Sequence, residues 1–409
     1  MTRWLPHALI GLSALLILHH LAEFAAVLRE GVGKAALTLD FRTYMCGAAD
    51  LRGPYDICHN GEFVSGFVYP PPSLAYFHTL SRLPIDTAFL IHTALCVAML
   101  AMATRMVVRM APRAPGEAPR PTATTIAAVL AALAIAPVGT SLAAGQVNIL
   151  LMGAAVAGMA FAATDRPARA GIAIALGFWL KIYPGLVPAL FLTPRKWRAA
   201  VATVIASAVI AAIGLGWAAP ELYRQYFLEL LPHAQGYTMP GVAQSLAGIA
   251  AHVEAGGGAP IQHFVPIPHG VQLAAKGLLA IGILLAMAHG LATREARPLD
   301  SLNLLLCASL VAAPNAWGYH YALIFPAILS ALLGALARPG SLRTPLVLAC
   351  WLALVVPAWT DPPAVLGQIA AFNVPFRARY ALVALVLCGL ILVDARKTAR
   401  TIAAPRQAG

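Results

Sequence analysis

The sequence predicts an all-α, polytopic membrane protein. The chain of 409 residues is 60% hydrophobic and 11% charged, with a mean hydropathy of +0.76, so it cannot present a solvated surface all round. Apolar runs of bilayer-spanning length recur along it. The basic residues fall in short clusters between those runs, as they do in the cytoplasmic loops of membrane proteins. The excess of 28 Lys and Arg over 16 Asp and Glu therefore speaks for topology and not for a nucleic-acid partner.

The spans read as roughly 8–28, 86–108, 123–140, 147–163, 170–180, 184–193, 199–218, 271–292, 301–316, 319–337, 344–359 and 378–395, twelve in all. The first follows Arg3 as a signal peptide would. It is too long for one and lacks a convincing small-residue cleavage site, so it reads as a retained helix. The clusters Arg105–Arg120, Arg166 with Arg169, Arg195 to Arg198, Arg294 with Arg297, Arg338 with Arg343, and Arg396 to Arg400 then all face the cytoplasm, with both termini inside. One helix through 170–193 would carry Arg195, Lys196 and Arg198 outside, so that stretch reads as two short segments breaking at Lys181-Ile182-Tyr183-Pro184. A lysine and a proline at such a break are tolerated where protein or water lines the backbone, which predicts a cavity there. Residues 113–121 read as a cytoplasmic linker, and 1–409 as a single integral membrane domain.

This topology places 29–85, about 140–146, 181–184, 219–270, a turn near 314–320 and 360–377 outside. The unusual polar residues fall in these segments. Asp40, Tyr44, Asp50, Tyr55, Asp56, His59, Glu62 and Tyr69 lie in the first, and Gln146, Asn148, Lys181, Gln244, Asn315, Trp317 and His320 in or beside the later ones. External loops 29–85 and 219–270 are thus expected to form the catalytic face. In the first, Phe67-Val68-Tyr69-Pro70-Pro71-Pro72 is stiff and opens an amphipathic stretch, Leu74 to Leu83. It reads as a short interfacial helix entered by an elbow, or as a plain loop with a turn. Cys96, Cys307, Cys350 and Cys388 lie in apolar spans and read as core residues. Cys46 and Cys58 lie in the external loop, where an oxidising compartment permits a disulfide; spacing leaves that pairing open.

Asp40 stands out among these residues. It is a scarce carboxylate, set beside Phe41 and Tyr44 just past the first span. Such a group suits a general base for a hydroxyl, although position alone equally fits a helix cap or a solvated loop acid. His320, at the outer end of a span, suits a phosphate contact, a partner that orients Asp40, or a cap. Lys181 suits a phosphate partner or a lysine snorkelling to headgroups. Gln146 and Asn148 fit sugar hydroxyls or interhelical hydrogen bonds. Tyr69 fits a sugar-stacking ring or an aromatic belt. Arg377 and Arg379, the one basic pair outside, fit a phosphate, an anionic lipid or headgroup anchoring. The chain has no glycine-rich phosphate loop with Lys-Ser/Thr, no His-Glu-x-x-His and no paired-cysteine ligand set. It also has no Asp-x-Asp nucleotide-diphosphate signature. Gly256-Gly257-Gly258 reads as a loop tip and Asp361-Pro362-Pro363 as an external turn.

Asp40-Phe41-x-x-Tyr44, then Pro54-Tyr55, then Phe67-x-Tyr69-Pro70-Pro71 resembles the opening of glycosyltransferase family 87. The resemblance continues in order through Gly145-Gln146-x-Asn148, Lys181-x-x-Pro184, Gln244-Ser245-Leu246 and Pro314-x-x-Trp317-x-x-His320, over most of the chain. It implies a GT-C fold of about twelve helices. It also implies transfer of a hexose, most simply mannose, from a polyprenyl-phosphate donor to a lipid or glycan acceptor on the external face of the cytoplasmic membrane. On the resemblance, Asp40 and His320 are the catalytic pair. Tyr44, Tyr69, Gln146, Asn148, Lys181, Gln244, Ser245, Asn315, Trp317, Arg377 and Arg379 contact substrate. One base and a direct displacement imply inversion at the anomeric carbon, with no metal or cofactor; the partners are donor, acceptor and membrane lipids. Two departures bear on the sugar and the acceptor. Tyr319 stands where the family often has the first His of Trp-x-His-His, and two residues separate Lys181 from Pro184. A rival class, a secondary transporter or lipid flippase, also uses twelve spans and broken helices, but should show similar halves and midplane charges. Here the polar residues gather at one surface without an internal repeat.

Overall fold

Long apolar runs fold as helices because a helix satisfies its own backbone where water is excluded. In this computed structural model, residues 4–55, 67–111, 121–257, 263–293, 297–338, 341–358 and 370–403 are described. Asp56, Cys58, His59, Glu62, Gly258, the linker 113–121 up to residue 120, and Asp361-Pro362-Pro363 lie outside them. The helices are α1 (Leu5–Glu30), α2 (Leu39–Ala49), α3 (Leu74–Ser81), α4 (Ile85–Met110), α5 (Thr122–Leu133), α6 (Ala136–Ala143), α7 (Asn148–Ala163), α8 (Pro167–Leu180) and α9 (Trp197–Gly214). They continue as α10 (Pro220–Gln225), α11 (Leu231–Gln235), α12 (Leu246–Glu254), α13 (His269–Ala292), α14 (Pro298–Ala312), α15 (Phe325–Ala337), α16 (Arg343–Val355), α17 (Ala370–Arg377) and α18 (Arg379–Ala403). Strands β1 (Tyr237–Thr238) and β2 (Val265–Pro266) pair antiparallel, with Tyr237 opposite Pro266.

Among the described residues, five stretches are long and apolar enough to cross a membrane: Leu5–Glu30, Ile85–Met110, Trp197–Gly214, His269–Ala292 and Gly318–Ala337. The pair α5 and α6, bent by 52°, makes a sixth, and α7, α8, α14 and α16 are apolar but shorter. Hydropathy marks where the chain is apolar, and the structure shows that several of those runs fold as short or interrupted helices. The expected span 123–140 is one of them. Pro137, in the first turn of α6, has no N–H to continue the ladder, and His20 Nε2 lies 3.3 Å from the carbonyl of Ala134 at the bend.

The break at Lys181 is present. α8 stops at Leu180, Lys181 is extended, and Tyr183–Phe191 continues as a 3-10 helix containing Pro184 and Pro188. The proline run also leads into a helix. Pro71–Ser73 forms a 3-10 turn ahead of α3, which buries Leu74, Phe77 and Leu80 and so packs inward instead of lying bare on the interface. Cys46, on α2, is disulfide-bonded.

Small residues let the helices close on one another, the usual device where no water drives association. At Gly171 a Cβ would fall 2.4 Å from the backbone carbon of Ala202, so α8 and α9 touch backbone to backbone. Trp179 Nε1 donates to the Ser207 carbonyl at 2.9 Å across the same pair, and Trp351 Nε1 to the Ala131 carbonyl at 2.8 Å between α16 and α5. α14 is buried along its whole length but for Pro298 and forms the centre of the bundle. At its starting end an ionic cluster ties the helices together. Arg297 Nε lies 2.7 Å from Asp300 Oδ2, and Asp394 receives both Arg297 Nη2 at 3.5 Å and Arg343. The other end of α14 leads directly to the segment 313–320.

Gly171→Ala is expected to cost about 1–3 kcal/mol through overpacking, seen as a lower melting temperature in detergent. Gly277→Ala, where a Cβ meets nothing within 4 Å, should leave that temperature unchanged.

Candidate active site

Asp40 sits in the first turn of α2, where the helix dipole favours a negative charge. One of its oxygens is fully engaged. Oδ2 accepts from Gln146 Nε2 at 2.5 Å and from the Tyr319 hydroxyl at 2.7 Å. Gln146 Nε2 also reaches the Tyr44 hydroxyl at 3.2 Å, one turn further along α2. Gln146 arrives there because α6 ends in a left-handed glycine. Gly145 has φ +65°, its N–H bonds the Leu142 carbonyl, and the Gln146 N–H bonds that of Ser141 at 2.9 Å, a Schellman closure. The Phe41 ring packs where a side chain on residue 145 would stand, 2.7 Å from that Cβ position. The neighbours of Asp40 and Gln146 thus lock together and bring the carboxylate to the amide.

Lys181 and His320 form the second half of the cluster. Lys181 Nζ lies 3.0 Å from His320 Nε2, and the Trp317 backbone N–H donates to His320 Nδ1 at 3.0 Å. Lys181 Nζ also lies over the rings of Tyr69, at 5.4 Å, and Tyr183, at 5.9 Å. Tyr69 is fully buried, edge-on to Tyr44 at 4.5 Å and stacked on Phe77 at 4.9 Å. Asn148 Nδ2 donates to the Tyr319 carbonyl at 3.2 Å, which ties the start of α7 to the motif carrying His320. Gln146 Oε1 and Asn148 Oδ1 are buried acceptors with no donor among the described residues.

The electrostatics follow from this placement. Burial holds the Asp40 carboxyl above its ordinary 3.8, against the Tyr319 hydrogen bond, the Lys181 charge and the Gln146 hydrogen bond, which pull it down. Burial and the neighbouring Asp40 charge raise the Tyr44 phenol. Lys181, at the break outside both flanking segments, is pushed down to about 8 by burial, with Asp40 acting the other way.

The remaining expected residues form a strap around this cluster. The Gln244 N–H donates to the Ala316 carbonyl at 2.7 Å, its own carbonyl accepts from the Tyr321 hydroxyl, and its Oε1 accepts from the Tyr380 N–H at 3.2 Å. Ser245 caps α12, accepting from the Gly248 N–H at 3.2 Å, and donates to the Pro314 carbonyl at 3.2 Å, which Thr238 Oγ1 also reaches at 2.7 Å. Asn315 Nδ2 donates to the Tyr237 carbonyl at 2.7 Å. Trp317 is half-buried with its ring 5.7 Å from that of Tyr319. The guanidinium of Arg379 binds the carbonyls of Phe376, Val356 and Pro357, and Arg377 Nε donates to Asn373 Oδ1 at 3.0 Å. Arg379 therefore braces the start of α18 and Arg377 bonds one turn back within α17, while Asp40, Tyr44, Tyr69, Gln146, Asn148, Lys181 and His320 converge. Among the described residues no group of His, Cys, Asp and Glu is placed to hold a metal ion.

The family model for glycosyltransferase family 87 matches residues 67–314. The chain belongs to that family. The matched region of this family 87 chain contains Tyr69, Gln146, Asn148, Lys181, Gln244 and Ser245, while Asp40 and His320 flank it and join it through the contacts above. A relative from Mycobacterium tuberculosis (strain ATCC 25618 / H37Rv) is 26% identical over 274 residues, 64% of this chain and 61% of that protein. It carries the name polyprenol-phosphate-mannose-dependent alpha-(1-2)-phosphatidylinositol mannoside mannosyltransferase. The match thus spans under two thirds of that relative's length.

Two residues at or beside the candidate site lie outside the set expected from the sequence. Tyr319, a departure from Trp-x-His-His, bonds Asp40 through its hydroxyl, and its motif position is the signal. His92 on α4 meets the Tyr76 hydroxyl at 2.7 Å and Cys96 Sγ at 3.5 Å, beneath Phe41, and an isolated His in an apolar run gave no such signal. Tyr319→Phe removes a hydrogen bond that favours ionised Asp40. The carboxyl should then titrate higher, read as an upward shift of its infrared protonation midpoint, the band being assigned by its loss in Asp40→Asn.

Proposed function

We propose that this chain moves a hexose, most simply mannose, from a polyprenyl phosphate to a lipid or glycan hydroxyl on the external face of the cytoplasmic membrane. One observation carries the reading: Asp40 has one oxygen held by Gln146 and Tyr319 while Lys181 and His320 stand on the same end of the bundle. Asp40 Oδ1 then takes the acceptor proton. The acceptor oxygen bonds to the anomeric carbon as the bond to the phosphate oxygen breaks, and the electron pair leaves with the phosphate. Attack opposite the leaving group inverts that carbon, and this step calls for no metal. Lys181 and His320 meet the charge released on the phosphate, as a preorganised donor pair should. Gln146 Oε1 and Asn148 Oδ1, buried acceptors without donors among the described residues, suit sugar hydroxyls.

The family and the printed name of the relative support a polyprenyl-phosphate donor. The basic clusters support cytoplasmic termini within a GT-C architecture of about twelve spans. A disulfide at Cys46 supports an oxidising compartment for the face that carries Asp40.

The test is transfer by purified protein in nanodiscs, using polyprenyl-phosphate mannose and extracted membrane lipids. Asp40→Asn should lower turnover by about 10²–10⁴-fold at unchanged fold. Undiminished transfer by that variant would remove the base assignment. The base works only ionised, and burial raises its pKa. Activity should therefore fall on acidification along a limb lying above the ordinary carboxyl value of 3.8.

A further inference from the structure

The contact between Lys181 and His320 poses a question of proton count. A neutral imidazole has one nitrogen with a lone pair and one that carries hydrogen, and a lysine ammonium has no lone pair at all. The Trp317 backbone N–H points at Nδ1 from 3.0 Å, so Nδ1 is the acceptor. That N–H is held in place by the backbone, since the His320 N–H closes onto the Trp317 carbonyl at 2.9 Å. Nε2 therefore carries the hydrogen, a tautomer assigned from the hydrogen-bond network. Nε2 faces Lys181 Nζ at 3.0 Å. Only a neutral amine can accept there; an ammonium would set two donors against each other.

The surroundings agree with this assignment. The groups facing Lys181 are Asp40 from α2, Tyr69 from the proline elbow, Tyr183 from the 3-10 segment, and His320 beside Tyr319 from the segment after α14. Asp40 is the one acid among them. Its Oδ2 is directed to Gln146 and Tyr319, and no carboxylate forms an ion pair with Lys181 among the described residues.

We propose that His320 serves the donor phosphate solely as a fixed Nε2–H donor, and that Lys181, neutral while it accepts that hydrogen, takes up one proton when a phosphate anion binds. The proposal rests on the lipid-phosphate reading above. The proton comes from solvent to the Nζ lone pair, and the Nε2–H turns from Nζ to a phosphate oxygen. Two donors then converge on one anion, and the site gains a positive charge equal to the charge it receives. His320 has no free lone pair in this arrangement, so it is not a second base.

Isothermal titration calorimetry tests this with farnesyl methyl phosphate, a diester that keeps a single charge, so any proton taken up belongs to the protein. Titrations into full-length protein in nanodiscs at about pH 8.5, just above the range where a depressed lysine titrates, are repeated in buffers of different ionisation enthalpy. The slope of heat against that enthalpy should give uptake close to one proton in the wild type and in Asp40→Asn, and close to none in Lys181→Met. Binding without uptake in the wild type overturns the proposal and leaves the donor reading intact. Uptake lost in Asp40→Asn places the proton on Asp40 and also overturns it. Absence of binding removes the lipid-phosphate reading and the proposal with it. If Lys181→Met fails to fold, the wild-type slope and Asp40→Asn decide the matter alone.

Discussion

Asp40 Oδ2 collects one hydrogen bond from Gln146 and another from Tyr319, and those two contacts hold three distant stretches of chain at one point. A carboxylate among apolar helices carries a desolvation penalty of several kcal/mol, while each hydrogen bond to a charged group returns about 1.5–3 kcal/mol. Two donors on one oxygen, a helix N-terminus behind it and a lysine nearby keep the group tolerable without quenching it. The second oxygen stays available for chemistry. The Gly145 turn, the Phe41 packing and the break before Tyr183 all serve to deliver one of these partners.

The two ends of the bundle differ in kind. At one end Arg297, Asp300, Arg343 and Asp394 compensate each other in a closed set of ion pairs. At the other, irregular backbone at 181–191 and 313–324 presents donors and acceptors inward. Irregular backbone is tolerated in such a protein where other parts of the chain satisfy it, and here Gln244, Ser245, Thr238 and Asn315 do so. The segment carrying Thr238, Gln244 and Ser245 therefore works as scaffolding for the motif that carries His320.

Much of this was legible in the sequence. Hydropathy located the apolar runs, and the conflict between the basic cluster at Arg195 and a continuous span located the break at Lys181. Sequence order and family resemblance together picked Asp40, Gln146, Lys181 and His320, which the fold brings together. What stayed hidden depends on direction more than on residue type. Gln244 and Ser245 look like substrate amides and hydroxyls by type, and only the structure reveals that they face backbone. Arg379 is cationic and falls in a segment expected outside, yet its guanidinium reaches carbonyls at a helix end. The bend at Ala134 escaped because a proline in an apolar run does not announce whether a neighbour such as His20 will donate to the freed carbonyl.

The bond between Tyr319 and Asp40 closes a loop of 279 positions in sequence. Contacts of such separation form late, because loop closure has to precede them. A chain entering the membrane from its N-terminus exposes Asp40 long before Lys181, and Lys181 long before Tyr319 and His320. No chain inserted short of position 320 holds the whole cluster, so the site is assembled only once that position has been made and inserted. The dispersed motif thereby acts as a built-in checkpoint on biogenesis.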